Sequence, residues 1–380
     1  MRWPFFIIGI VFLLVGSYLD NVRGPLIPAL IQQASFNYQS ASQILIGGHL
    51  TAFVVTWLLI PGLNRVSIRF ASILASFLGI LICGFSLVSR GTSEIILWGA
   101  TVGGVVSLCG TLSNLFTQRS SSPIHRTRAM AASHAAYGLA SFAAPMIAAP
   151  VLVDAQAWPQ LFVWAIPAFA VLILLCLWLA PESKATAPQE TLQSIGLSKE
   201  QWLVVAVVIL YVGGEVLASM WMTSWVVSAG ASLQVGARYT AIFFALMTAT
   251  RLICAIFLPQ RWIPLVLWLS LLVPIVCFVT GRIFDVPLLV SCTGLLGPFF
   301  PLFLSRASVK FPGKDRTLTI WILSLMQILL ALVHLVVGEI AGKFGMSLAY
   351  WLPPVFLAMS ALLMTRVNLF GRAASEHSRS

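Results

Sequence analysis

Four charged residues lie where hydrocarbon should be. Asp20 and Arg23 sit in GSYLDNVRGP, Glu215 in YVGGEVLAS and Arg251 in TATRLICAIF, each within a long apolar run. An ionised side chain in a bilayer costs at least about 2.5–3.5 kcal/mol on insertion scales, so each needs a partner or an aqueous cavity. A desolvated carboxylate at such depth can carry a proton or accept a hydrogen bond from a solute hydroxyl, while an arginine there can hold an anion. Asp20 and Arg23, three residues apart, can alternatively neutralise one another on one helix face. Asn21, Gly24, Pro25 and Pro28 make that stretch polar and helix-breaking.

Glu215 has no basic residue in its own segment and therefore must face a protein interior. Trp221 and Trp225 follow it at helical spacing and offer flat apolar faces for a sugar ring, or else mark the outer membrane interface. At 1.5 Å per residue, Glu215 lies about 20 Å from the basic end of its helix and Arg251 about 10 Å. This difference favours Arg251 as a gate residue snorkelling toward water over a partner of Glu215. Uncharged polar candidates are His49, Asn114, His134, Gln327 and His334. Singly, each is most simply a helix-helix hydrogen bond. Glu339 and Lys343, four apart near a helix end, suit an interfacial ion pair.

The elements that must position these groups follow from composition. The chain has 380 residues, 59% apolar and 9% charged, with a mean hydropathy of +0.97. Soluble domains run at about 25% charged, so these figures exclude a water-soluble enzyme. Spanning a ~30 Å hydrocarbon layer takes about 20 apolar residues. Twelve such runs occur, α1 to α12, at 4–30, 41–62, 68–88, 94–117, 129–153, 159–180, 201–229, 236–258, 262–281, 286–306, 317–341 and 346–366. The polar stretch 181–200 divides them six and six. The expected organisation is an N-terminal six-helix bundle (1–180), a cytoplasmic linker (181–200), a C-terminal six-helix bundle (201–366) and a cytoplasmic tail (367–380).

The net charge of +11 is then a topology signal. With the N-terminus inside, most of the basic residues, among them Arg65, Arg69, Arg119, Arg126, Arg128, Arg261, Arg306, Lys310 and Lys314, fall at cytoplasmic loops or helix ends. Nothing in the charge requires nucleic acid. The first run resembles a signal peptide but lacks a small-residue cleavage site, so an uncleaved α1 is expected. The six cysteines lie in apolar runs and read as small hydrophobes, without metal-ligand spacing. No phosphate-binding loop occurs, and GATVGG (Gly99 to Gly104) lacks the Lys-Ser/Thr that would complete one. Neither a cofactor nor a metal is expected.

Asp20 and Glu215 also occupy corresponding depths in α1 and α7, each in a glycine-marked stretch. Two like halves with matching intramembrane acids describe a secondary transporter. The whole chain resembles the major facilitator superfamily: twelve helices, two halves, a longer central loop and basic α2-α3 and α8-α9 loops. Its α2-α3 signature occurs in altered form from Ile60 to Arg69, with Asn64 for the usual aspartate and Ser67 for glycine. Within the superfamily, three stretches are similar to the fucose/galactose/glucose:proton symporters. They are Tyr211-Val212-Gly213-Gly214-Glu215, then His134 with Tyr137-Gly138-Leu139-Ala140 and Pro145, then Gly294 through Phe300-Pro301 to Ser305; Asn114 fits as well.

This resemblance implies an all-α fold of two pseudo-symmetric bundles, alternating access, and a midplane solute site between α1, α4, α7 and α10. The candidate solute and proton site is Asp20, Asn21, Arg23, Asn114, His134, Glu215, Trp221, Arg251, Gln327 and His334. The candidate cytoplasmic gate is Asn64, Arg65, Arg69 and Arg261. Expected partners are protons, a small solute and the lipid of an inner or plasma membrane, with the chain acting as a monomer. Proton-coupled uptake of a small polar solute such as a sugar is the favoured activity. Export of amphipathic or cationic compounds is the alternative, followed by a receptor or scaffold without flux.

Overall fold

The computed structural model describes residues 2–32, 36–62, 66–120, 123–179 and 196–367. The apolar runs form twelve helical spans. They are α1 (Trp3–Gln32), α2 (Tyr38–Gly62), α3 (Ile68–Phe85), α4 (Thr92–Ser120), α5 (Pro123–Val151), α6 (Ala155–Leu179), α7 (Lys199–Ser228), α8 (Leu233–Phe257), α9 (Gln260–Ile283), α10 (Pro287–Lys310), α11 (Asp315–Phe344) and α12 (Met346–Met364). Eleven have the length and hydropathy of a membrane span, and α5 contributes the shorter apolar helix Ala135–Val151. The chain is an all-α, multi-pass membrane protein. Local signals set several starts: Ser67 and Ser232 accept from the backbone N–H groups of Phe70 and Val235, and Ser198 forms a reciprocal capping box with Gln201.

Four spans expected to be continuous are interrupted, each next to a proline: α6 between Val163 and Ile166, α12 between Ala349 and Leu352, and also α1 and α10. In α1 the helix Trp3–Asn21 stops and Arg23–Gln32 resumes. Pro25 has no N–H to give the Asn21 carbonyl, and Pro28 none for Gly24. The break falls beside Asp20 and Arg23. In α10 a short helix Pro287–Ser291 passes through a 3₁₀ stretch, Cys292–Leu296, into Phe299–Lys310. Pro301 likewise leaves the Gly297 carbonyl without its helical donor.

Packing follows an approximate two-fold. In the first bundle α1 packs on α4, α5 and α6, α2 on α4, and α3 on α6. In the second, α7 packs on α10, α11 and α12, α8 on α10, and α9 on α12. Between bundles, α2 lies on α11 and α5 on α8, a pair that exchange with one another when the halves are swapped, while α1 meets α7 on the axis. Glycines allow the closest approaches. A Cβ on Gly103 of α4 would overlap the Gly48 carbonyl of α2, so the GATVGG segment serves helix packing. A Cβ on Gly338 would overlap Ser42, one on Gly138 would overlap Thr248, and one on Gly24 would lie 3.3 Å from the Met220 carbonyl. These three contacts all join one bundle to the other.

Large side chains fill each half. Phe12 stacks on Phe116, and Trp98 packs against Trp158 and Phe162. Tyr211 stacks on Phe299 in the second half. Cys83, Cys109 and Cys176 are buried among such groups and Cys254, Cys277 and Cys292 half-buried.

Candidate solute-binding cavity

A cavity of about 350 Å³ lies between the bundles, walled by α1, α2, α4 and α5 on one side and by α7, α8, α10 and α11 on the other. It collects most of the costly residues: Asp20, Asn21, Arg23, His49, Asn114, Glu215, Arg251 and Gln327 all reach its wall. Ser107, Ser133, Tyr137 and Ser219 join them. These four were invisible in the sequence, since a hydroxyl in an apolar helix can also bond its own backbone.

Arg251 departs from its expected role. Instead of snorkelling to water, it turns inward: Nε donates to the Gly297 carbonyl at 2.9 Å and Nη2 meets Glu215 Oε1 at 3.4 Å. Both side chains are largely buried, 14% and 16% exposed. The axial offset between the two residues is spanned by the arginine itself, and the free Gly297 carbonyl left by Pro301 draws the guanidinium toward α10. Tyr211, one turn before Glu215, donates to the Leu296 carbonyl at 3.1 Å and so ties α7 to the same irregular stretch of α10.

Across the cavity, Arg23 forms an ion pair with the Asp20 carboxylate, and its Nε donates to the Asp20 carbonyl at 3.2 Å. Arg23 is 2% exposed and Asp20 29%. The two readings of this pair coexist, since the residues neutralise each other and also face the cavity. Asn21 is partly spent on structure: its amide donates to the Ser17 carbonyl at 2.9 Å and to Ser141 Oγ at 3.0 Å, tying α1 to α5.

A polar chain crosses the seam between the bundles. His49 Nδ1 of α2 lies 2.8 Å from Gln327 Oε1 of α11. The His49 ring stacks on His334 of α11 at 5.2 Å and 13°, and Trp221 of α7 donates to His334 Nδ1 at 3.0 Å. An indole nitrogen can only donate, so His334 carries its proton on Nε2.

Neither Trp221 nor Trp225 is a solute platform. Trp221 is fully buried behind the wall, and Trp225 stacks on Tyr350 at 5.2 Å under the Arg282 guanidinium, 4.6 Å from its ring. His334 is also buried and off the wall. Trp221→Phe is expected to lower thermal stability by about 1–3 kcal/mol, by stranding His334 Nδ1, while solute affinity stays within about twofold. A binding titration beside a melting curve checks this, and a collapse of affinity without a loss of stability would place Trp221 on the wall after all.

The remaining expected positions divide. The side chain of His134 lies outside the described residues, as do Asn64 and Arg65 of the candidate gate and the stretch 180–195 within the expected linker. Arg69 is half-buried at the start of α3. Arg261 is exposed and lies over the Trp262 ring at 6.0 Å. Beside it Arg306 donates to Gln260 Oε1 at 2.9 Å, linking the start of α9 to α10. Glu339 and Lys343 form the expected exposed pair at 3.1 Å.

No protein-family model and no curated protein sequence matches the chain. Solved structures do. The structure of a D-xylose-proton symporter superposes with a TM-score of 0.74 at 14% identity, covering 95% of this chain and 97% of that one. The nucleoside transporter NupG, as a point mutant, gives 0.73 at 15%, covering 97% and 99%. A bacterial homologue of the human lysosomal transporter Spinster, inward-facing and occupied, gives 0.68 at 13%, covering 96% of each chain. At such identities the likeness establishes the fold. The chain has the major facilitator fold over essentially its whole length.

Proposed function

We propose that this chain is a proton-coupled secondary transporter that takes up a small polar solute, such as a sugar, by alternating access. The observation that carries the reading is the placement of two ion pairs, Asp20 with Arg23 and Glu215 with Arg251, on opposite walls of one cavity between two bundles. Each bundle supplies one pair, so a rocking motion about the cavity changes access to both. Glu215 is the proton site: its contact with Arg251, at 3.4 Å, is longer than the ~2.7–2.9 Å of a strong charge-assisted bond. Asp20 is held by Arg23 through both its carboxylate and its backbone carbonyl, and orients the solute. The fold neighbours, which include a sugar-proton symporter and a nucleoside transporter, support the same class of activity.

In this reading residues 1–180 and 201–366 are the moving halves and 181–200 is the cytoplasmic connection between them. Both termini are cytoplasmic, in an inner or plasma membrane, and the monomer is the working unit. Arg69 and Arg261, with Asn64 and Arg65, line the cytoplasmic gate. The side of the membrane away from Arg2 is then outside. On that side Gly338 meets Ser42 and Gly24 meets Met220, while the lining reaches Asn114 and Ser133 toward the opposite ends of α4 and α5, which supports an inward-facing arrangement. Export of a cation suits the cavity less well, because both acids already have arginine partners.

The test is transport in proteoliposomes. Glu215→Gln is expected to lose accumulation driven by an inward proton gradient while keeping solute counterflow, and Asp20→Asn to weaken both. Wild-type, pH-dependent accumulation in both variants would remove the proton role. Solute binding with no flux under any gradient would instead indicate a receptor.

A further inference from the structure

The cavity wall holds two buried nitrogens without a partner among the described residues. Arg23 Nε and Nη2 are occupied by Asp20, but Nη1 has no acceptor among the described residues, although Arg23 is 98% buried as the complement of its 2% exposure. A buried, unpaired guanidinium N–H costs far more than a neutral one. Nη1 abuts Gly48 of α2, where a Cβ would lie 2.8 Å from it. With no side chain at this position, only backbone stands beside this donor. The next residue, His49, also lines the cavity and also carries a buried, unpartnered nitrogen, Nε2. Its Nδ1 faces the acceptor oxygen of Gln327 and so holds the proton, which leaves Nε2 as an acceptor. Stacking on His334 fixes the ring plane.

The wall thus presents a cationic donor beside a neutral acceptor. From this pairing, and resting on the transport reading above, we infer that the solute carries both a carboxylate and a hydroxyl, as in a small hydroxy acid or a sugar acid. The carboxylate accepts from Arg23 Nη1, and the hydroxyl donates to His49 Nε2. A cavity of about 350 Å³ is near the lower end of the ~300–1,000 Å³ usual for ligand sites, which suits such a compact molecule.

The charge on the wall leads to the same class. Asp20, Arg23, Glu215 and Arg251 sum to zero, so a bound monoanion leaves one negative charge uncompensated in the membrane. One proton taken up with it restores neutrality, and Glu215 is the group to receive it. Around Glu215 stand Arg251 from α8, Tyr211 on its own helix, Tyr137 from α5 and the Asp20-Arg23 pair from α1. The α10 and α11 walls add Phe300, Met326, Gln327 and Leu330, none of them charged. One anion and one proton therefore cross together with no net charge moved.

Three-carbon probes separate the two functional groups: lactate has both, propionate lacks the hydroxyl and propane-1,2-diol lacks the carboxylate. Gluconate and glucose make the corresponding longer pair. In proteoliposomes with acid outside, gluconate is expected to accumulate at least about tenfold more than glucose, and lactate to compete with gluconate at about tenfold lower concentration than propionate or the diol, which cross bare lipid unaided. Uptake should follow the pH gradient and be indifferent to a clamped membrane potential. Gly48→Ala, whose methyl would stand 2.8 Å from Nη1 and crowd this donor, should lower affinity for the acid about tenfold while affinity for the diol stays within about twofold. His49→Phe should reduce lactate to the level of propionate.

Accumulation of glucose or the diol with exclusion of the acids overturns the inference and leaves proton-coupled transport standing. Wild-type uptake of the acids by both variants also overturns it, since the unpartnered nitrogens would then hold only water. Thermal stabilisation by lactate or gluconate, lost in Gly48→Ala but without uptake under any gradient, upholds the carboxylate site and removes the transport reading.

Discussion

Arg251→Gln is expected to melt far below the wild-type protein, by the equivalent of about 3–5 kcal/mol. The double variant Arg251→Gln/Glu215→Gln is expected to recover most of that loss. The asymmetry follows from what each change leaves behind. Removing the guanidinium alone strands a carboxylate that is only 16% exposed and also deprives the Gly297 carbonyl of its donor. Removing both charges leaves two amides that can bond to each other and to Gly297. Glu215→Gln alone should fall between, because Arg251 keeps the carbonyl. Melting curves of the purified variants decide the matter. Equal losses in Arg251→Gln and in the double variant would mean that the two residues do not act as a pair.

Gly338→Val should abolish uptake by a different route. Gly338 lies against Ser42 where α11 meets α2, and even a single methyl would overlap the serine. A branched side chain prevents these helices from meeting at the seam and so holds the outer end of the cavity apart. Leu330, on the wall of the same helix, provides the reporter. A cysteine placed there, in a background lacking the native six, is expected to react with a membrane-impermeant maleimide from outside about tenfold faster in Gly338→Val than in its absence, while net transport falls to background. Unchanged labelling together with normal uptake would show that this seam does not need to close.

The sequence indicated some of this architecture directly. Twelve spans were legible because each must present about 20 apolar residues to lipid, and a hydrocarbon layer tolerates few exceptions. The break in α1 was signalled by Pro25 and Pro28, whereas that in α10, ahead of Pro301, was not read from the sequence. The partner of Glu215 was not legible. Counting residues along α7 and α8 puts Glu215 and Arg251 at different depths, but the count ignores the reach of an arginine side chain and the carbonyl freed by Pro301. Helix rotation was equally hidden. Trp221 and Trp225 share a helix with Glu215 yet pack behind the wall, and His334 lies behind His49, because period alone does not say which face meets which neighbour. Ser107, Ser133, Tyr137 and Ser219 carry no hydropathy signal that separates a cavity hydroxyl from one bonded to its own helix.

The glycine contacts between the bundles have a mechanical consequence. Gly24 with Met220, Gly138 with Thr248 and Gly338 with Ser42 bring one half of each contact down to bare backbone. Surfaces of this kind slide and part without first withdrawing interlocked side chains, so little friction would oppose the rocking of one half against the other that the proposed transport requires. Under the proposed alternating access, resistance falls instead on the His49–Gln327 bond and the His49–His334 stack, which would have to break each time the outer end opened. A solute hydroxyl seated on His49 would load that same catch, so the molecule being carried would help set how fast the carrier turns over.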